Sequence, residues 1–151
     1  SAMASPASTT LAERVIRHEG AHQLFCHYGI HSQFALEPTW ITEGLAEYCV
    51  PAKIGARHAG HWPRLREWAR NDRLLSLGVL LNHRDPVGFF ALDPRRAELA
   101  YAQSWALVYY LMESRHRAGF LELLRVYRDT PRATARLVED AEPRQLLLQA
   151  L

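Results

Sequence analysis

The hydrophobic pattern of this chain reads helix after helix, and nothing else in the sequence constrains the fold as much. The segment from Leu11 to about Tyr28 carries Leu11, Val15 and Leu24 on helical spacings. Thr10 with Glu13 forms a capping box before it, and Gly29 is a natural stop after it. "PTWITEGLAEYCVP" predicts a short second helix, with Pro38 tolerated near its first turn and Pro51 ending it. Further helices are expected over His61–Asn71, Leu77–Leu81, Ala97–Ser114 and Gly119–Tyr127. The stretch from Pro131 to Leu151 reads as one or two more, interrupted at Pro143. In the longest run Trp105, Val108, Leu111 and Met112 offer a buried face. Residues 82–95 hold two prolines and a glycine and read as a loop, with the apolar "VGFFAL" folded over the core. No clear strand, internal repeat or low-complexity tract is present, so the expectation is a mainly α domain.

At 151 residues the chain can bury one real core. "SAMASPASTT" looks like an expression scar and leader, which leaves residues 11–151 as the expected domain. A net charge of +2 with alternating signs excludes the basic stripe of a nucleic-acid binder, and the run Arg57–Arg73 reads as solvated surface. No stretch of apolar residues is long enough to span a membrane. Nothing in the sequence assigns a localisation. Cys26 and Cys49 could pair or bind metal, but two small buried hydrophobes are the default reading.

The chemistry is concentrated in "IRHEGAHQLF". His18 and His22 stand four apart, so a helix projects both imidazoles from one side, close enough to share an ion. Glu19 points beside them and can take the proton of a water activated there. The bland alternative is two histidines satisfied by hydrogen bonds and a surface carboxylate. Two partly buried imidazoles need partners, however, and a metal with a third ligand would supply them. In "TWITEGLAEY", Glu43 is the candidate for that ligand. Two histidines and one glutamate leave a fourth position open, the arrangement of catalytic rather than structural zinc. Glu47, one turn later, could accept the other N–H of a ligating histidine, or simply face solvent. His58 and His61, three apart beside Trp62, read as surface histidines or a minor metal patch, and the remaining histidines as scattered polar positions.

These motifs resemble the gluzincin branch of the zinc metallopeptidases, which carry HExxH and a downstream glutamate. The pairing of "RHEGAHQL" with "WITEGLAEY" is most similar to an uncharacterised bacterial peptidase-like domain family of the same MA clan. The resemblance implies Zn2+ held by His18, His22 and Glu43, Glu19 as general base, and Glu47 as acidic partner of a ligating histidine. Trp40 and Gly44 match the aromatic and glycine that flank the third ligand. "AYAQSWALVYYLME" is similar to the helix that carries an oxyanion-stabilising tyrosine, which falls on Tyr101. The implied fold is the helical catalytic part of a zincin, covering roughly residues 11–130. Gluzincins place a small β-sheet before the HExxH helix, and only some 17 residues precede His18 here. The expectation is therefore either a piece of a longer protein with further domains or a version with little or no sheet.

The implied activity is hydrolysis of a peptide or protein substrate, without nucleic-acid or membrane partners. The rival reading is a helical interaction or scaffolding domain with no metal, or with a metal that only joins two helices.

Overall fold

The structure is a computed structural model, and it describes residues 10–32, 36–84, 93–131 and 143–151. Those residues form seven helices and no strand: α1 Leu11–His27, α2 Thr39–Cys49, α3 His61–Arg70, α4 Leu77–Asn82, α5 Pro94–Glu113, α6 Arg117–Arg128 and α7 Pro143–Ala150. The mainly α expectation holds among them. The "VGFFAL" segment, placed by the sequence over the core, lies outside the described residues.

Local chemistry explains the helix ends. Thr10 and Glu13 form the expected reciprocal capping box, and Gly29 takes a φ of 64° just beyond α1, where a side chain would be strained. Helix α5 begins at Pro94, three residues earlier than its apolar pattern suggested. Pro94 needs no N–H partner in the first turn, and the Asp93 side chain accepts the N–H of Arg95 at 2.9 Å. Pro143 likewise starts α7, and the residues before it, where the sequence suggested a further helix, lie outside the described ones.

Helix α2 sits at the centre and packs chiefly on α5, with α1 laid against its other side. Nearly all of its faces are covered, Thr39, Trp40, Ile41, Leu45, Ala46 and Tyr48 among the buried residues. Trp40 stacks on Phe120 of α6, and Trp105, Val108 and Leu111 of α5 complete the core as expected. Each large apolar side chain so covered contributes on the order of 1.5–3 kcal/mol. Gly44 permits the closest approach: a Cβ there would lie 2.6 Å from the Ser104 carbonyl oxygen and 2.7 Å from Val108 Cγ2. The Tyr48 hydroxyl also bonds the Glu113 carboxylate, tying the far ends of α2 and α5.

Helix α1 corrects the sequence reading. Leu11, Val15 and Leu24, its apolar helical positions, are 75%, 51% and 54% exposed. The helix is docked instead by Ala21, by Phe25 packed against the core, and by its polar residues. Arg17 reaches across to donate to the Pro51 carbonyl at 2.9 Å, just beyond the C-terminus of α2. His18 and His22 face Glu43 and Glu47. A second correction concerns the cysteines: both are free, and Cys26 is exposed rather than buried.

Candidate metal centre

Residues a turn apart on α1 and α2 meet at one point. His18 Nε2 and His22 Nε2 are 3.1 Å apart, and Glu43 Oε2 lies 3.2 Å from the first and 3.4 Å from the second. Ligands about 2.0–2.1 Å from a tetrahedral zinc are separated by about 3.3 Å, so this triangle matches one face of such a site. The donor set of two imidazoles and a carboxylate suits the same ion. The sequence-derived ligand triad is therefore brought together.

Glu47 occupies the position behind the triad. It is 9% exposed, not solvent-facing, and its Oε1 lies 3.0 Å from His18 Nδ1. The Nδ1 proton is turned off the line to Oε1, so the contact is ionic rather than a well-aligned hydrogen bond. It still favours the tautomer that leaves the Nε2 lone pair towards Glu43. Burial alone would lower the His18 pKa, but the carboxylates of Glu43 and Glu47 outweigh it and push it up to about 9. Burial alone would raise Glu43, and the contacts with His18 and His22 instead bring it down to about 2. Glu47 is held far below the usual carboxylate range: His18, His58 and His61 overcome the burial that opposes ionisation. Without an ion, a proton on His18 offsets the two carboxylates.

A second cluster stands on the other oxygen of Glu47, where the sequence suggested only surface histidines. His61 Nε2 hydrogen-bonds Glu47 Oε2 at 2.8 Å, and His58 Nε2 lies 3.2 Å from the same oxygen. Both rings are buried and stack with centroids 3.9 Å apart. Glu47, His58 and His61 thus form a second group that could chelate an ion. Its histidines are less ready to do so than those of the first. His58 Nδ1 accepts the backbone N–H groups of Gly60 at 3.2 Å and His61 at 3.0 Å, so it carries the lone pair. In a neutral ring the proton then sits on Nε2, facing Glu47. Burial, first of all, depresses the His58 pKa, which favours that neutral ring. The cluster anchors Glu47 as it stands.

The remaining expected residues line a cavity of about 500 Å³ that adjoins the triad through His18. Glu19 is on its wall and exposed. Tyr101 is there too, its ring centroid 5.8 Å from that of His18. Burial, then the charges of Glu43, Glu47 and Glu19, push the Tyr101 phenol up to about 12, so it stays a donor at neutral pH. A second cavity, about 270 Å³, is lined by His22 and Glu43 from the opposite side. His31 also faces it, 8% exposed and fixed by Glu37 at 2.7 Å, where the sequence suggested only a scattered polar histidine. The spacing of His58 from His61 was visible in the sequence, but not that Glu47 lies between them and His18. For His31 the only signal was a glutamate six residues later.

Among the described residues no helix is long and apolar enough to cross a membrane. No curated protein and no solved structure matches the chain. Residues 13–133 match a family model described as "Protein of unknown function (DUF1570)", a span that takes in both histidine clusters and Tyr101. On that match, which covers most of its length, the chain belongs to the DUF1570 family.

Proposed function

We propose that this domain is a zinc-dependent hydrolase of peptide bonds, with His18, His22 and Glu43 as ligands. The observation that carries the reading is the convergence of His18 Nε2, His22 Nε2 and Glu43 Oε2 within 3.1–3.4 Å of one another, beside a cavity walled by Glu19 and Tyr101. A zinc ion held there would polarise the scissile carbonyl and make water acidic enough to attack it near neutral pH. Glu19 takes the proton of the attacking water and delivers it to the leaving amine. The Tyr101 phenol donates to the oxygen on which negative charge develops. Glu47, clamped by His61, keeps the His18 ring turned for ligation.

A purely structural metal would join α1 and α2 behind a closed wall. A cavity of about 500 Å³ reaching His18 and Glu19 favours the catalytic reading over that one.

The test measures zinc per chain and hydrolysis of an unfolded protein substrate, on the wild type and on Glu19→Gln. Both should hold about one zinc at the triad, and the variant should lose activity by about 10²-fold or more. Wild-type cleavage by Glu19→Gln would overturn its role. Failure of the wild type to take up zinc would overturn the whole reading.

A further inference from the structure

Arg14 precedes His18 by one helical turn, so its guanidinium shares a side of α1 with the two histidines. It lines the same cavity as His18, Glu19 and Tyr101. Its Nε is buried and makes no hydrogen bond among the described residues. Nη1 lies over the turn before α3, close enough that a Cβ on Gly60 would come within 3.6 Å of it. The neighbouring arginines are occupied: Arg17 donates to the Pro51 carbonyl, and Arg64 pairs with Glu98. An Nε closed to water is closed to a ligand as well, so it is the Nη end of the guanidinium that a carboxylate in the cavity would meet, with two charged donors to offer. The apolar part of the cavity lining is Leu11, Val15, Val50, Pro94 and Ala97.

We propose that Arg14 is a substrate-binding residue that takes a carboxylate of the peptide. The inference rests on the peptidase reading and adds the substrate class. A guanidinium binds a carboxylate through two parallel N–H donors, which fixes orientation as well as charge. The four-residue offset from His18 is about 6 Å along the helix axis, the span of one to two extended peptide residues. A carboxylate of that kind comes either from the free C-terminus of a short peptide or from an acidic side chain. The exposed apolar positions Leu11 and Val15, unexplained by the core, form the adjoining wall for an apolar side chain. The carboxylates of Glu19, Glu47 and Glu98 on the same cavity would repel an anionic substrate, and Arg14 supplies the local charge that offsets them.

The test uses the full chain stripped of metal, so that no ion can hold the probe. Three probes are titrated calorimetrically: N-acetyl-leucine, N-acetyl-leucinamide, and N-acetyl-glutamic acid with its α-carboxyl amidated. Wild type should bind at least one carboxylate probe and should ignore the leucinamide. Arg14→Gln should weaken that binding at least tenfold while keeping the wild-type zinc uptake. Preference for N-acetyl-leucine assigns a C-terminal carboxylate, and preference for the glutamate derivative assigns an acidic side chain. If Arg14→Gln does not fold, Arg14→Lys, which keeps the charge and loses the fork, should weaken binding severalfold. Equal binding by wild type and variant, or no carboxylate binding by wild type, overturns the proposal. Zinc uptake is measured separately, so this failure leaves the metal reading standing.

Discussion

His18 Nδ1 and Glu47 Oε1 stand 3.0 Å apart, and the other oxygen of the same carboxylate holds His61 Nε2 at 2.8 Å. One buried glutamate of α2 therefore links a candidate metal ligand of α1 to the first residue of α3. On the proposed reading, the arrangement would couple metal uptake to protonation and to helix packing.

With His18 raised to about 9, its ring is protonated in the metal-free chain at neutral pH, and an ion must displace that proton. Binding at pH 7–8 should therefore release about one proton from His18. Zinc affinity should rise about tenfold per pH unit until the pH approaches 9. Calorimetry in buffers of different ionisation enthalpy measures the released protons. A pH-independent affinity would remove the proposed competition.

The same groups set the pH dependence of folding in the metal-free protein. A raised His18 pKa contributes stability that is fully present below its ordinary value of 6.5 and is lost as the pH rises through 9. A lowered Glu43 contributes stability present above 4.5 and lost as the pH falls towards 2. The metal-free chain should melt highest between about pH 4.5 and 6.5 and lower on both sides. Thermal melts across pH 2–10 read this directly, and a profile flat across that range would contradict the ion pairs.

Glu47→Gln removes the charge that orients His18 and accepts from His61. Zinc affinity should fall by about 10–100-fold, the usual cost of losing a carboxylate behind a ligating histidine. Competition with a chelator of known affinity measures it. An unchanged affinity, in a variant that melts normally, would show that Glu47 serves packing alone.

Tyr101→Phe keeps the ring against His18 and deletes only the donor. Zinc content should stay at the wild-type level while kcat falls by about 10²-fold or more. A loss confined to KM would place Tyr101 in substrate binding rather than in stabilising the oxyanion.

Gly44→Ala puts a Cβ into the backbone of α5, within 2.6 Å of the Ser104 carbonyl oxygen. The helices must separate, at a cost of about 1–3 kcal/mol. For a chain of this size each kcal/mol lowers Tm by roughly 2–4 °C. Differential scanning calorimetry tests it, and an unshifted Tm would mean that α2 and α5 pack less closely than described.

Much of this protein follows from short-range sequence signals. A capping box, a stopping glycine and two histidines four apart determine α1 and the shared direction of its imidazoles, because helix geometry is fixed within a turn or two. Glu43 and Glu47 were legible for the same reason, as acidic residues one turn apart on a second helix. Which part of α1 docks was not legible. Leu11 and Val15 share the histidines' side of the helix yet stay largely exposed, while His18 and His22 dock because Glu43 and Glu47 wait on α2 to satisfy them. The burial of His58 and His61 also depends on a distant partner, Glu47, which lets polar rings leave water. The unpaired Nε of Arg14 is a property of its surroundings and not of its residue type. Local periodicity is written in neighbouring residues, whereas the stability of a buried polar group depends on contacts between segments far apart in the chain, which only the tertiary structure decides.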